Sequence, residues 1–298
     1  MMTRLSLLIF LAVSVALSSC TSSSEFESRS TQNYSNCFHY VYDLSEGEAG
    51  VFASPHYTIE WNYGKAKADL ELKNARFAEN MPQVNLKIKD LRWSISSGGW
   101  KVINATDVVP EVNGQPMPAY MINQLKIEVL ERYVGAVFEP IVNIYFTING
   151  RYAVTAVQKS VIYFGNTNVT ESGETYKTSS PYYRVRIKDD LTADVTIYDA
   201  EFEKLMTPED LVLKDAQVQI NSGIGYALSG TSVATEVGGK PSMEYNVTNL
   251  LGHGTFSGGL NMTFNCEKKT TTTEGTEDVN QYYVRANLTF LPEEEAEY

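Results

Sequence analysis

The residues that could perform chemistry are few, and they do not stand in a catalytic pattern. The three histidines, His39, His56 and His253, lie far apart and in no spacing typical of a metal site. The chain contains no G-x-S-x-G turn, H-E-x-x-H helix, phosphate-binding loop or dinucleotide fingerprint. The sequence therefore predicts no catalytic residue, no metal site and no cofactor, and it favours a protein that is not an enzyme.

Acidic residues offer the one catalytic alternative. A glycosidase needs only two carboxyl groups roughly 5–10 Å apart, and such a pair leaves no local signature. Three pairs of acids recur at one fixed spacing along the chain: Asp69 and Asp194, Asp90 and Asp215, Glu111 and Glu236. Each is predicted at a strand edge or turn, where a carboxylate usually accepts hydrogen bonds from the backbone. A glycan hydrolase is therefore the least favoured function.

The three tryptophans are the candidate ligand-binding residues. Trp61, Trp93 and Trp100 all lie in the first half of the chain. Exposed indole rings are flat and amphipathic, so they can pack against sugar rings or flat apolar faces. Trp93 continues an alternating pattern that favours the core, whereas Trp100 follows a Ser-Gly-Gly turn and is expected to be the more exposed. A site that uses them would exist in one half only.

The elements that would position these residues occur twice. ADLELKNARFAENMPQVNLKIKD at Ala68–Asp90 returns as ADVTIYDAEFEKLMTPEDLVLKD at Ala193–Asp215, 125 residues later. The two copies align without a gap as far as Leu125 and Leu250. Because this period is far longer than the roughly 20–50 residues of solenoid repeats, it predicts one duplication of a whole domain.

Each copy has the alternation of β-strands. Apolar and polar residues alternate along Ala66–Lys73, which places one face in a core and the other in water. Turns such as Asn113-Gly114 and Gly238-Gly239 separate these runs. We expect an all-β fold of two tandem homologous antiparallel β-barrels, with a sandwich as the alternative. Tyr120–Arg132 and Pro208–Leu213 are each predicted to hold a short helical turn.

The N-terminal segment is typical of an exported protein. Residues 1–19 combine an early Arg4, an apolar run and small residues before Cys20, which is the order of a secretory signal peptide. The apolar run is short for a membrane-spanning helix, which needs about 20 apolar residues. Residues 20–36 are mostly polar and are predicted to form a flexible tether.

Leu17-Ser18-Ser19-Cys20 resembles the lipobox of bacterial lipoproteins. The resemblance implies that Cys20 becomes the mature N-terminus and carries a diacylglyceryl group and an acyl chain, which would hold the protein on a membrane. It implies a cell-envelope, outer-membrane lipoprotein. Glu25 and Glu27 resemble the export signal of surface lipoproteins of Bacteroidota, and both a periplasmic and a surface-facing position remain open.

The shared segment D-[LV]-x-[LI]-x-[ND]-A-x-F and the later E-V-x-G-x-P resemble the calycin-like β-domains of Bacteroidota lipoproteins. The resemblance implies a lipocalin-like barrel of about eight strands in each copy, which either encloses a small ligand or is filled by side chains. We place domain one at residues 37–157 and domain two at residues 158–298.

Export leaves two alternatives for Cys37 and Cys266. An oxidising compartment permits a disulfide between them. Cys266 aligns with the apolar Ile148 in the other copy, however, so a free and buried thiol suits its position equally well.

Charge and composition limit the kinds of partner that the protein is expected to bind. The formal net charge of −12 repels phosphate backbones, so nucleic acid is not expected. We expect a non-enzymatic binding module for a small apolar or glycan ligand, attached to a membrane through Cys20. The alternatives are a structural or interaction lipoprotein with filled barrels, whose protein partner the sequence does not identify, and the glycan hydrolase.

Overall fold

The computed structural model describes residues 28–35, 37–178, 182–202, 208–271 and 277–291. The predicted signal peptide and Cys20 lie outside these residues. The predicted all-β class is confirmed, because the described residues contain many strands, no α-helix and one 3-10 turn at Pro118–Tyr120. Nowhere in this part of the chain is there a helix long and apolar enough to cross a membrane.

The first half forms one curled antiparallel sheet, which we call barrel one. Its strands are β1 (Arg29–Tyr34), β2 (Cys37–Asp43), β3 (Glu48–Val51), β4 (His56–Asn62), β5 (Lys67–Ala75), β6 (Val84–Ile95), β7 (Lys101–Val108), β8 (Glu111–Val112), β9 (Gln115–Pro116), β10 (Ile122–Leu130), β13 (Ile141–Ile148) and β14 (Tyr152–Gln158). A separate hairpin consists of β11 (Tyr133–Val134) and β12 (Val137–Phe138).

The chain itself joins the two edges of barrel one. The sheet order is β1-β4-β5-β6-β7-β10-β13-β14-β2-β3, with β8 and β9 beside β6. β1 pairs with β4, and β2 pairs with β14. Because only residues 35–36 separate β1 from β2, these two strands follow each other like the halves of one bent strand.

The second half forms a closed eight-stranded barrel, which we call barrel two. Its strands are β15 (Ser160–Glu171), β16 (Glu174–Lys177), β17 (Tyr182–Ile187), β18 (Thr192–Ala200), β19 (Glu209–Asn221), β20 (Gly225–Val237), β21 (Lys240–Pro241), β22 (Tyr245–Thr255), β23 (Leu260–Thr271) and β24 (Glu277–Thr289). The order β15-β17-β18-β19-β20-β22-β23-β24 closes through a β15–β24 ladder.

One bent strand closes barrel two. Residues 160–164 of β15 pair with β17, and residues 164–171 pair with β24. Gly165 lies at the bend with φ of 153°, and a Cβ there would stand 2.1 Å from the carbonyl oxygen of Asn287. Only glycine fits this close approach. β15 therefore takes the place that β1 and β2 share in barrel one.

Side chains fill the interior of both barrels. In barrel one, Phe77 is buried and stands edge-on to Phe146, with ring centroids 6.0 Å apart. In barrel two, Phe202 stands edge-on to Phe264 in the same way, at 6.2 Å. Burying one such side chain contributes about 1.5–3 kcal/mol, so these layers are a main source of stability.

Three local predictions are wrong. Residues 29–34, predicted within the flexible tether, form β1, because Tyr34 is buried and the segment pairs with β4. Within Tyr120–Arg132, predicted to hold a short helical turn, Ile122–Leu130 is strand β10, whose side chains at Leu125, Ile127 and Val129 enter the core at every second position. That period of two is the period of a strand. Glu209–Asn221 is likewise strand β19 rather than a helical turn.

The loops of barrel one alternate between two ends, because neighbouring strands run antiparallel. We call one end the mouth; it holds the turn at residues 44–47, the loops at residues 52–55 and 76–83, and the turn at residues 149–151. We call the other the tether end; it holds residue 28, the turns at residues 63–66 and 96–100, and residues 131–140 with the β11–β12 hairpin.

Barrel two packs one of its ends against the wall of barrel one. Asn143 on β13 donates a hydrogen bond to the carbonyl oxygen of Phe256, and the Gly223 N–H donates to Thr155 Oγ1 at 3.2 Å. Gly223 approaches so closely that a Cβ would lie 2.8 Å from the ring of Tyr145. The contact therefore fixes one barrel on the other.

Candidate functional site

The acids that recur in both halves stabilise two equivalent β-bulges. Asp90 has a φ of 60° and Asp215 a φ of 56°, in the left-handed region. The backbone N–H of Asp90 donates to Asp69 Oδ1 at 2.9 Å, and that of Asp215 donates to Asp194 Oδ1 at 3.2 Å. Each carboxylate thus satisfies a donor that the bulge removes from the ladder. Asp69 and Asp194 therefore stabilise the backbone of the two bulges.

The remaining recurrent acids make ion pairs. Glu111 lies 2.6 Å from Lys89, and Glu236 lies 3.7 Å from Lys214. Across the described ranges, no group of three or more histidine, cysteine, aspartate or glutamate side chains is arranged to hold a metal ion.

His39 is a core residue. It is fully buried, and its Nδ1 lies 2.8 Å from the hydroxyl of Tyr57. Burial lowers the pKa of His39 to about 4, so the ring is neutral at neutral pH. The same place in barrel two holds Thr167, whose Oγ1 lies 2.7 Å from the hydroxyl of Tyr183. His56 and His253 are exposed.

Cys37 and Cys266 are both buried free thiols. Cys37 belongs to the core of barrel one and Cys266 to the core of barrel two. Burial raises the pKa of each thiol to about 12. Both cysteines therefore stay protonated and behave as small apolar side chains.

The three tryptophans lie at the tether end of barrel one, and none forms an open platform. Trp61 is fully buried, and its Nε1 donates to Gln32 Oε1 at 2.8 Å, so its ring presents no open face to a ligand. Trp93 is half-buried and edge-on to Trp61 at 5.6 Å. Trp100 is half-buried and edge-on to Phe290 of barrel two at 5.7 Å.

A buried lysine occupies the aromatic faces at the tether end. Lys101 Nζ lies 2.7 Å from Glu131 Oε1 and donates to the Tyr63 hydroxyl at 2.7 Å. It also lies 5.1 Å from the ring centroid of Trp61 and 4.8 Å from that of Tyr63. The protein's own ammonium group therefore takes the place that a ligand cation would take over these rings.

The candidate site lies at the mouth of barrel one. A hollow of about 700 Å³ opens there, within the range of roughly 300–1,000 Å³ that small-molecule sites span. Phe77 at the top of the packed core is part of its lining. Its polar lining consists of Asp43, Glu46, Glu48, Arg76, Glu79, Asn80 and Arg151, and its larger apolar side chains are Val41, Val51, Phe52, Met81 and Tyr152.

One residue explains why the two mouths differ. Gly50 on β3 faces the buried Val41, and Tyr176 on β16 faces the buried Val169, so Gly50 and Tyr176 hold equivalent positions. The Tyr176 ring packs on the core of barrel two, and its hydroxyl donates to the carbonyl oxygen of Phe202. Gly50 has no side chain; the ring of Phe52 lies beside it, 3.0 Å from where a Cβ would stand, and both residues line the hollow.

Arg151 and Asp43 form a fixed part of the wall. Arg151 Nη2 donates to Asp43 Oδ2 at 2.7 Å, Arg151 Nε donates to the same oxygen at 3.0 Å, and Nη2 also lies 2.6 Å from Glu46 Oε1. The hydrogen bonds from Arg151, with further ones from Ser45, hold the pKa of Asp43 well below its usual range. The Asp43 carboxylate is therefore ionised and engaged by the protein.

Arg76 is a cation at the mouth of barrel one that uses only its Nε–H in a hydrogen bond to the described residues. Its guanidinium carbon lies 5.9 Å from the ring centroid of Phe52, and its Nε donates to the carbonyl oxygen of Ala78 at 3.1 Å. No side chain or carbonyl among the described residues accepts from its two terminal nitrogens. The planar guanidinium group of Arg76, which lies over the ring of Phe52, thus presents N–H donors to a hollow bordered by carboxylates.

Sequence reasoning did not find Gly50 or Arg76. A signal for Gly50 exists in the repeat, because the equivalent residue of barrel two is a tyrosine. It is hidden because the spacing between the copies there is 126 residues, from Gly50 to Tyr176, rather than 125.

Comparisons with known proteins add little to this geometry. No protein-family model matches the chain, and no curated protein matches it. A similar solved structure is a crystal structure of a tryptophan-to-alanine mutant of the vaccine antigen Transferrin Binding Protein B from Haemophilus parasuis Hp5. It is 6% identical, with 88% of this chain and 76% of that chain covered and a TM-score of 0.20. So low a TM-score carries no argument about either fold or function.

Proposed function

We propose that the protein is a non-enzymatic, lipid-anchored binding protein of the cell envelope, which holds a small glycan in the mouth of barrel one. The observation that carries the proposal is the open hollow of about 700 Å³ at Gly50, where barrel two has Tyr176. Barrel two supports barrel one, and among its described residues Tyr176 stands where barrel one has Gly50.

The lining favours a glycan over an apolar ligand. Carboxylates, an amide and two guanidinium groups border the hollow, and an apolar ligand would remove these groups from water without giving them hydrogen-bond partners. Sugar hydroxyls both donate and accept, so they can satisfy Glu48, Glu79 and Arg76 together. Phe52 and Tyr152 supply flat apolar surface for a sugar ring.

The packed interior argues against a ligand deep in the barrel. Phe77 lies at the base of the hollow, with Phe146 edge-on to it in the core. A ligand in the interior would have to displace such buried rings, each at a cost of about 3–5 kcal/mol.

A glycan array probed with the soluble Cys20→Ser protein tests the proposal. We expect a defined set of oligosaccharides to bind, and a Gly50→Tyr variant to lose them, because the added ring fills the hollow as Tyr176 does in barrel two. The ring of Phe52, which would lie 3.0 Å from the new Cβ, has to move slightly. Met243→Tyr is the matched control, since it adds the same side chain at an exposed position of barrel two. Binding that survives Gly50→Tyr would refute the site.

A structural or interaction role is the second candidate. The filled cores favour it, because solid barrels present only outer surfaces to a partner. An array without a single glycan hit, together with a protein partner captured through barrel one, would move the assignment to this role.

A further inference from the structure

Exposed apolar side chains gather at the tether end of barrel one. Tyr63, Ile95, Tyr133, Val137 and Phe138 all stand there, with 37–67% of their surface exposed. Trp93 is half-buried beside Tyr63, with the two rings edge-on at 5.6 Å. Soluble surfaces seldom concentrate large apolar residues in this way unless the patch meets a partner.

The β11–β12 hairpin at the centre of this patch belongs to barrel one only. Leu125 matches Leu250 at a spacing of 125, whereas Asn143 matches Asn261 at a spacing of 118, so barrel one has seven additional residues between them. The hairpin has a firm base: the Glu139 N–H donates to the Arg132 carbonyl at 3.0 Å, and Arg132 itself is buried. Tyr133 and Phe138 face each other across its two strands, with ring centroids 5.4 Å apart.

The chain from Cys20 arrives at the same end. The Tyr63 N–H donates to the carbonyl oxygen of Ser28 at 3.0 Å, and Gln32 on β1 contacts Glu131 at the start of the hairpin segment. Residues 21–28 separate Cys20 from Arg29. An extended chain spans at most about 3.5 Å per residue, so a lipid on Cys20 lies within roughly 30 Å of this end.

We propose that the tether end of barrel one docks on the lipid surface that holds Cys20, with Tyr133, Val137 and Phe138 entering the headgroup region. The proposal rests on the lipid anchor in the proposed function and is independent of glycan binding. Tyrosine and tryptophan favour membrane–water interfaces, because their rings are amphipathic.

Charge supports one orientation. The chain carries a formal net charge of −12, which disfavours contact between most of its surface and anionic lipid. Lys65 and Arg92 are exposed towards the tether end, where they face the headgroups in the docked orientation.

Quenching by brominated lipids tests the docking directly. The mature chain is coupled through the Cys20 thiol to a maleimide lipid in vesicles of phosphatidylethanolamine and phosphatidylglycerol; Cys37 and Cys266 are buried and do not compete. Tyr133→Trp places a new indole at an exposed position of the hairpin, and Met243→Trp places one at an exposed position of barrel two. The emission of the new indole is obtained by subtracting the spectrum of the parent protein.

We expect brominated acyl chains to reduce the emission of the Tyr133→Trp indole at least twofold and to leave that of Met243→Trp unchanged. Equal quenching of both, or of neither, would overturn the proposal. Concentration-dependent dimerisation that buries the hairpin would also overturn it and would assign the patch to a second copy. Gly50→Tyr in the same assay should leave the quenching unchanged, so a failed glycan site and a failed membrane contact give different results.

Discussion

The two barrels have similar walls and different ends. At the tether end of barrel one, Trp61, Lys101 and Glu131 form a polar cluster. The equivalent positions of barrel two are apolar: Ile187, Tyr226 and Phe256 line the seam against barrel one. The end that another barrel covers is therefore apolar, and the end that faces outwards is closed by the buried Lys101, which pairs with the partly exposed Glu131 and lies against aromatic rings.

The mouths of the two barrels also differ, in the side chain that stands at one equivalent position. In barrel two, Tyr176 packs on the core and its hydroxyl donates to the carbonyl oxygen of Phe202, whereas Gly50 presents no side chain at the equivalent position of barrel one. A duplicated scaffold can thus acquire a site by the loss of one side chain, while its copy remains a packed support. The following predictions test whether these differences in residues between the two barrels produce differences in stability.

The largest expected effect is an acid sensitivity confined to barrel one. His39 has a pKa of about 4 in the fold because burial disfavours its charged form, against about 6.5 in an unfolded chain. Between these values the unfolded chain binds a proton that the folded chain does not. Stability is therefore full above pH 6.5 and falls by on the order of 3 kcal/mol as the pH drops towards 4.

Urea unfolding at pH 7.5 and 4.5, followed by tryptophan emission, measures this loss, because all three tryptophans belong to barrel one. His39→Thr copies the residue of barrel two and should remove most of the pH dependence over this range. His253→Thr changes an exposed histidine and should retain it. An unchanged pH dependence in His39→Thr would contradict the assignment.

A smaller effect is expected at the tether end. Glu131→Gln leaves the Lys101 ammonium buried without its carboxylate, and we expect a loss of about 2 kcal/mol in the free energy of unfolding, less than for a fully buried pair because Glu131 is partly exposed. Lys101→Met combined with Glu131→Leu should recover most of it, as apolar residues suit barrel two at these positions. Glu60→Gln, which breaks an exposed pair with Arg29, should cost less than 1 kcal/mol and serves as the control.

The smallest predicted difference separates the two bulges. Burial acts to raise the pKa of Asp194, but hydrogen bonds from Lys188 and Lys214 outweigh it and lower the pKa. Asp69 has a more distant partner, with Lys87 at 3.9 Å. Asp69→Ala should cost about 1 kcal/mol through the lost backbone hydrogen bond, and Asp194→Ala about 1 kcal/mol more. Thermal unfolding by circular dichroism compares them; equal losses would show that the lysines contribute nothing.

Much of the fold could be predicted from the sequence, because it depends on local patterns. Alternation of apolar residues sets the strands, and the recurrence of Asp90 and Asp215 reflects two bulges of the same geometry. The sequence did not reveal which positions of the two edge strands correspond. A constant spacing of 125 makes His39 equivalent to Phe164, whereas the strand ladders make it equivalent to Thr167. The two differ because Gly165 bends one strand in barrel two where barrel one uses two strands.

The candidate site was harder to predict, since it depends on contacts between distant residues. Alternation places Trp61 on the same face of β4 as Tyr57 and Ile59. Its contacts with Gln32 and Lys101 come from distant strands, and local alternation does not reveal them. The seven additional residues around Tyr133 were visible as a change of spacing, but the exposure of Tyr133, Val137 and Phe138 is seen only in the structure.

The stoichiometry of glycan binding tests the central claim most directly. Isothermal titration of the Cys20→Ser protein with an oligosaccharide selected on the array should give one site per chain. Gly50→Tyr should abolish binding, and Tyr176→Gly, which unblocks the other mouth, should leave the first site intact. Two equivalent sites in the parent protein, or one undiminished site in Gly50→Tyr, would contradict a single site at the mouth of barrel one.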